Sequence, residues 1–246
     1  MTQFTPEKMS IAACAALLIS SAPAYAGGLG DMVAEPAPVA PLIAPLQTNN
    51  DYYVSVFAGS NAVSDIDTNY DFFDNDYTVA FDTGFVAGVT FGKRISETLR
   101  VEGELSFASA EAANYSAISS AGYVFADSVT AEGNLDATYL LVNVWYDIPT
   151  AGPLGYYVGG GLGGAKVDGD ITFNGFAFGY GPGETKLAGQ IGAGLMYDVS
   201  QSLTLDVGYR FKHVGDVDFE DSDGTGVYTG GTVQSHSLQA GLMYNF

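Results

Sequence analysis

Residues 237–246 of the chain read SLQAGLMYNF, and this stretch decides the fold. Every second position carries an apolar or aromatic side chain, namely Leu238, Ala240, Leu242, Tyr244 and Phe246. The positions between them are polar or small, apart from one methionine. Because successive side chains of a strand point to opposite faces, this period of two predicts a β-strand between an apolar and a polar environment.

Further segments upstream repeat the alternation. They lie at residues 54–58, 85–91, 99–107, 140–146, 156–162, 191–197 and 203–211. With the last segment they give an even number of strands, as in single-chain bacterial membrane barrels. The connections after the second, fourth and sixth segments are short and the others are long, which is typical of tight periplasmic turns and long outer loops. The sequence therefore predicts an all-β fold, an eight-stranded antiparallel up-and-down transmembrane β-barrel over residues 51–246, with both termini in the periplasm.

The composition separates this barrel from a soluble one, which shows the same alternation but turns its polar face outward. Only 15% of the residues are charged, with 8 Lys+Arg against 28 Asp+Glu, whereas a soluble domain has about 25%. The polar faces are too poor in lysine and glutamate for a water-exposed exterior. A net charge of −20 also excludes nucleic acid as a partner, because no basic stripe is present to bind phosphates.

The first 50 residues have the features of an export signal followed by a linker. Lys8 precedes the apolar run 11–19, and the sequence Ala-Tyr-Ala at 24–26 matches a cleavage site. We therefore predict a signal peptide over residues 1–26. Residues 27–50 contain four closely spaced prolines and predict a Pro-rich periplasmic linker. Lipid attachment at Cys14 is the alternative, but no apolar run precedes that cysteine.

Charged residues fall on the interior face of two predicted strands. They are Arg100, Glu102 and Glu104 on the third strand and Asp206, Arg210 and Lys212 on the seventh. The interior of an eight-stranded barrel is just wide enough for its own side chains, and unpaired charges there would be costly. We expect these six residues to form a hydrogen-bonded network of ion pairs that fills the barrel. The alternative is a path for protons or ions.

Four short stretches carry a family resemblance. They are LRVEGEL at 99–105, YVGGGLG at 157–163, LTLDVGYR at 203–210 and GLMYNF at 241–246. In this order and spacing they resemble the outer-membrane β-barrel family that includes OmpA-like transmembrane domains and opacity-type porin-family proteins. The resemblance implies a Gram-negative outer-membrane location. It also implies that Leu242, Tyr244 and Phe246 form the terminal signal read by the barrel-assembly machinery.

The sequence contains candidates for two further kinds of site, a divalent cation site and a catalytic site. Asp65, Asp67, Asn69 and Asp76 have the spacing of calcium ligands, but Tyr70 stands where such a loop needs glycine. We favour a hydrated acidic surface there over a weak cation site.

A hydrolytic triad would need a histidine beside a serine. His236 and Ser237 are adjacent in sequence, and this places them on opposite faces of a strand. We therefore predict no catalytic residues and no cofactor.

These observations predict a non-enzymatic, closed outer-membrane barrel that presents acidic extracellular loops for envelope integrity or surface adhesion. The expected partners are outer-membrane lipids, lipopolysaccharide, the barrel-assembly machinery and a surface ligand. The main alternative is a small cation-preferring porin, and the third hypothesis is a lipid A-modifying enzyme.

Overall fold

The computed structural model describes residues 51–70, 75–119, 124–173, 176–178, 184–220 and 227–246. The predicted signal peptide and linker lie outside these ranges. Within them no helix is long and apolar enough to cross a membrane. The strands are β1 (Tyr52–Val63), β2 (Ile66–Tyr70), β3 (Asn75–Phe81), β4 (Gly84–Arg94), β5 (Leu99–Ser119), β6 (Val124–Glu132), β7 (Asn134–Ile148), β8 (Leu154–Gly169), β9 (Ile171–Phe173), β10 (Phe176–Phe178), β11 (Glu184–Asp198), β12 (Leu203–Glu220) and β13 (Val227–Asn245).

Eight of these strands form a closed antiparallel ring. Around the ring the order is β1, β4, β5, β7, β8, β11, β12 and β13, and β13 pairs back onto β1. Val56, for example, lies opposite Leu242 on one side and Val89 on the other. These are the strands that the alternation predicts, so the predicted fold class is confirmed.

The outward face of the ring is apolar over a band of limited height. On β7 the outward side chains Leu140, Val142, Val144 and Tyr146 are between 46 and 68% exposed, while the side chains between them are buried. The outward apolar positions of this strand run from residue 140 to residue 148, which matches the ~9–11 residues that a tilted strand needs to cross a bilayer.

Aromatic rings border the band at the end where β1 begins and β13 ends. Tyr52 stacks on Phe91 at 6.0 Å and on Phe246 at 6.4 Å between ring centroids. Tyr244 stacks on Phe246 at 6.3 Å. Such a row suits a membrane interface, where an aromatic side chain can be in contact with lipid and with water.

At the opposite end the barrel continues as a β-structured extension. β2, β3, β6, β9 and β10 pair in a chain that begins at β13 and passes through the outer part of β5. The extension therefore belongs to the connections that the sequence predicts as long loops. Inward apolar side chains stabilise its strands by packing into a core. Ile66 and Val79, for example, are both at most 2% exposed.

Candidate functional site in the barrel interior

The interior at the end where β1 begins and β13 ends contains charged and polar side chains. Arg100, Glu102, Glu104, Arg210 and Lys212 are each less than 10% exposed, and Asp206 is partly buried. We call this region the polar half, comprising Tyr53, Arg100, Glu102, Glu104, Asn143, Trp145, Asp147, Tyr157, Gln190, Asp206, Arg210 and Lys212. All six charged residues of the sequence hypothesis lie in it.

Lys212 and Glu104 form the direct ion pair that crosses the barrel. Lys212 Nζ lies 2.6 Å from Glu104 Oε1 and also donates to Ser106 Oγ at 2.8 Å. The other carboxylate oxygen of Glu104 accepts from Asn143 Nδ2 at 3.0 Å and from Gln190 Nε2 at 2.6 Å. This pair joins β5 to β12, strands that are not neighbours in the ring.

Glu102 is held by uncharged donors. The hydroxyl of Tyr53 donates to Glu102 Oε2 at 2.8 Å. The indole N–H of Trp145 donates to Glu102 Oε1 at 2.7 Å, and Asn143 Nδ2 donates to the same atom at 3.1 Å. These donors satisfy a buried carboxylate by charge-assisted hydrogen bonds.

Arg100 pairs with a residue outside the predicted set. Its Nε lies 2.8 Å from each carboxylate oxygen of Asp147, and Arg94 Nη1 lies 3.1 Å from Asp147 Oδ2. Two arginines therefore share one carboxylate at the terminal end of the interior. Asp147 has the same strand parity as Trp145 and Asn143, so the alternation of β7 is the signal that could have identified it.

Arg210 and Asp206 meet through Tyr157. Arg210 Nη2 donates to the Tyr157 hydroxyl at 2.8 Å, and that hydroxyl donates to Asp206 Oδ1 at 3.1 Å. The guanidinium also lies 4.3 Å from the Trp145 ring centroid, within cation–π range. A Cβ at Gly208 would overlap the Tyr157 hydroxyl and the guanidinium, so this arrangement requires glycine there.

A small cavity lies in the polar half. It is enclosed between Arg100, Glu102, Tyr157, Asp206 and Arg210 and has a volume of about 20 Å³, and this is room for about one water molecule.

The interior toward the extension is closed by apolar side chains. This apolar half contains Ile66, Val79, Val86, Tyr115, Leu135, Tyr139, Leu141, Val167, Ile171, Val214, Val217 and Val233 among its buried members. Tyr139 marks the boundary between the halves, because Lys212 Nζ lies 4.3 Å from its ring centroid. The described interior therefore contains two chemically different sets of buried side chains, one polar and one apolar.

The other predicted site residues lie outside the barrel interior. Asp67 and Asn69 are on β2, and Asp76 lies opposite Asn69 on β3. The Thr78 hydroxyl donates to Asp67 Oδ1 at 2.7 Å, while Asp65 is exposed just before β2. Among the described residues, no group of three or more histidine, cysteine or acidic side chains is placed to hold a metal ion.

The histidines and the terminal aromatic residues face outward. His213 and His236 are exposed, and His236 Nδ1 lies 2.6 Å from the Tyr209 hydroxyl. Ser237 is buried on the opposite face. Leu242, Tyr244 and Phe246 are exposed on the last strand or directly after it.

Comparison with known proteins agrees with this architecture. The family model of the outer membrane protein β-barrel domain matches residues 12–246. The crystal structure of the outer membrane protein OprG from Pseudomonas aeruginosa is similar, with a TM-score of 0.54, 12% identity and coverage of 80% of this chain and 96% of that chain. Neisserial surface protein A (NspA) has a TM-score of 0.49 and 21% identity, covering 79% of this chain and 97% of that chain. No curated protein matches the chain.

Proposed function

Because the chain belongs to the outer membrane protein β-barrel domain family, we propose that it is a closed, non-enzymatic barrel that anchors an acidic extracellular extension for envelope integrity or surface binding. In this proposal both termini lie in the periplasm and the extension lies outside the cell. The partners are outer-membrane lipids, lipopolysaccharide and a surface ligand, and the barrel-assembly machinery recognises the terminal Leu242, Tyr244 and Phe246.

The filled interior is the observation that carries the proposal. A porin needs a continuous aqueous lumen, as in barrels with many more strands. Here the cavity in the polar half has a volume of about 20 Å³, and beyond it Tyr139 and Leu141 on β7 are each 1% exposed within the apolar half. An ion entering from either end would have to displace packed side chains, so the porin hypothesis is disfavoured.

The extension supports a role at the surface. β5, β12 and β13 continue past the outward apolar band, and the added strands extend the same sheet. The outer ends of β5 and β6 place Ile118 opposite Val124, both exposed. A rigid, paired scaffold of this kind holds loops in fixed relative positions, and loops so positioned commonly carry binding functions.

The geometry of the histidines disfavours a lipid A-modifying enzyme. A hydrolytic mechanism needs a histidine that takes a proton from a nucleophilic serine. His236 is instead hydrogen-bonded to Tyr209, and the adjacent Ser237 points into the barrel. Lipid A from cells with and without the gene should therefore have identical mass spectra, and a shifted acyl pattern would establish the enzyme instead.

The experiment that tests closure is single-channel recording of the protein purified from outer membranes and inserted in a planar bilayer. We expect no steady openings from the parent protein or from Arg210→Ala, because the apolar half closes the bore independently of that arginine. Lys166→Ala is the matched control, since Lys166 lies on the exposed face. Folding is checked by the shift in electrophoretic mobility between boiled and unboiled samples. Steady cation-selective openings from folded protein would replace our proposal with the porin hypothesis.

A further inference from the structure

The outward face of the barrel is interrupted by a groove between β8, β11 and β12. It has a volume of about 190 Å³ and is lined by Gly161, Leu162, Gly189, Ile191, Phe211 and His213. Leu162 and Ile191 are among the most exposed apolar side chains of the outward face, at 67% and 64%. The groove is thus an apolar depression in the surface that faces lipid.

The groove exists because a glycine stands at an outward position. Gly189 lies between the outward side chains Leu187 and Ile191 on β11, with Leu162 opposite on one side and His213 on the other. A Cβ at this position would come 3.2 Å from Leu162 Cδ2 and 3.7 Å from the Gly161 carbonyl oxygen. A larger side chain would therefore fit after a small shift of Leu162 and would fill the depression.

The groove lies at the extension end of the apolar band. On β12 the outward series is Leu205, Val207, Tyr209, Phe211 and then His213. His213 follows the apolar and aromatic side chains that face the hydrocarbon, and this is the level at which lipid head groups lie. A molecule in the groove would have its apolar part beside Ile191 and its polar part beside His213.

A second histidine lies beside the first. Phe211 pairs with His236 and His213 pairs with Gln234, so the two histidines are diagonal cross-strand neighbours, a relation that corresponds to about 7–8 Å. They are the only histidines of the chain. Nδ1 of His236 lies 2.6 Å from the Tyr209 hydroxyl, and a histidine that carries a proton on Nε2 donates a hydrogen bond from that atom.

The charges around this level of the barrel differ between its two sides. Glu111 on β5 is exposed and Asp136 on β7 is partly buried, and both lie at outward positions. Lys166 on β8 is paired with Asp168 at 2.8 Å. Beyond His213, farther along β12 toward the extension, lie the acidic residues Asp216, Asp218 and Glu220. At the level of the groove an anionic head group would therefore meet the two histidines.

We propose that this groove and its two histidines bind one phosphorylated glycolipid of the lipid A type from the outer leaflet. One acyl chain lies in the groove at Gly189, and His213 and His236 donate hydrogen bonds to a phosphate of the head group. The inference rests on the orientation in our proposed function, which places the extension end of the band in the outer leaflet.

The test is native mass spectrometry of the full protein in detergent, titrated with purified bisphosphorylated lipid A. We expect one lipid A to remain bound to the parent protein. Gly189→Val, which fills the groove, and His213→Ala, which removes a donor, should each raise the apparent Kd by about tenfold. Ala193→Val is the matched control on the same strand, because Ala193 is also outward and exposed, and it should leave the Kd unchanged.

Different outcomes separate this inference from the proposed function. Equal affinity of the Gly189→Val variant and the parent, or equal retention of phosphatidylglycerol and lipid A, would overturn the lipid site and leave the closed barrel intact. A conducting protein that still binds lipid A at the groove would overturn the proposed closure alone. Labelling of Ile118→Cys in whole cells with a membrane-impermeant maleimide, compared with the parent chain, tests the orientation. Absence of labelling in intact cells together with labelling after lysis would overturn both proposals.

Discussion

The Lys212–Glu104 pair offers the sharpest test of what stabilises the barrel interior. We consider Lys212→Met, Glu104→Met and the double variant, all of which keep an unbranched side chain of similar length. The matched control is Lys166→Met, which breaks the Lys166–Asp168 pair on the exposed face. The nitrogen–oxygen distances are similar, 2.6 Å in the buried pair and 2.8 Å in the exposed one. The exposures differ: the side chains of Lys212 and Glu104 are 3% and 4% exposed. Those of Lys166 and Asp168 are 52% and 42% exposed.

The magnitudes follow from the contacts that remain after each change. Removing one partner of a buried pair costs about 3–5 kcal/mol because a buried charge is left uncompensated. Lys212→Met leaves Glu104 with hydrogen bonds from Ser106, Asn143 and Gln190, so we expect about 3 kcal/mol. Glu104→Met also removes the acceptor of those donors, so we expect about 5 kcal/mol. The exposed control should cost less than about 1 kcal/mol.

The assay is reversible unfolding in denaturant with the protein folded into lipid vesicles, followed by tryptophan fluorescence and checked by electrophoretic mobility. The free energies of unfolding of the four proteins form a double-mutant cycle. We expect a coupling of at least about 2 kcal/mol, because the double variant removes both charges together. Additive effects, or a loss for Lys212→Met no larger than that of the exposed control, would refute the view that the pair holds the interior together.

Three further changes test other parts of the structure. Trp145→Phe removes an indole N–H that donates at 2.7 Å to an interior glutamate, and we expect a loss of about 1.5–3 kcal/mol in the free energy of unfolding. The outward Tyr146→Phe should change this free energy little. Because Trp145 is the only tryptophan of the chain, unfolding of these two variants is followed by electrophoretic mobility. Gly208→Ala adds a methyl group that would overlap interior side chains, and it should lower the free energy of unfolding by about 1–3 kcal/mol. In Gly103→Ala the added methyl group meets no atom within 4 Å, so this control should leave the free energy of unfolding unchanged in the same assay. Phe246→Ser should lower the amount of protein in outer-membrane fractions, measured by immunoblot, while refolding in detergent stays efficient. An unchanged amount of protein in the outer-membrane fraction would show that Phe246 is not part of the assembly signal.

The ring of eight strands was predictable because it depends on properties local in sequence. Each membrane strand has one face toward lipid and one toward the interior, and a period-two pattern records that difference directly. The observed pairing of Val56 with Leu242 and Val89 joins outward residues of three predicted segments. The short connections after the second, fourth and sixth segments also predict which end of the barrel carries the tight turns.

The partners inside the barrel were less predictable because they depend on the stagger between strands. Arg100 lies opposite Trp145 in the register but bonds to Asp147, two positions further along the same face. From the third and seventh predicted strands, Glu104 and Lys212 lie 2.6 Å apart between Oε1 and Nζ. Arg210 instead meets Tyr157 and Trp145, because large aromatic side chains occupy the space between the two strands.

The apolar half of the interior was missed, although the sequence contains a signal for it. Residues 139–142 read YLLV, an apolar run on both strand faces. Tyr139 and Leu141 point inward and are 1% exposed, while Leu140 and Val142 point outward. A continuous apolar run in an otherwise alternating strand indicates burial on both sides, and here it marks the level at which the interior changes from polar to apolar.

The division of the interior into two halves follows from what surrounds each part of the barrel. Inside a bilayer, moving an apolar side chain into the barrel interior changes the free energy little, because the surrounding lipid is equally apolar. Hydrogen bonds and ion pairs are therefore the interactions that can favour one arrangement of the interior side chains. The Lys212–Glu104 pair lies at the level of the outward Leu105 and Phe211, within the apolar band. Past that band water surrounds the sheet, and the hydrophobic effect can then drive the apolar side chains of the extension, such as Ile66 and Val79, into a core. The polar half therefore gives the membrane segment a specific register, and the apolar half allows the strands to continue as a folded structure beyond the membrane.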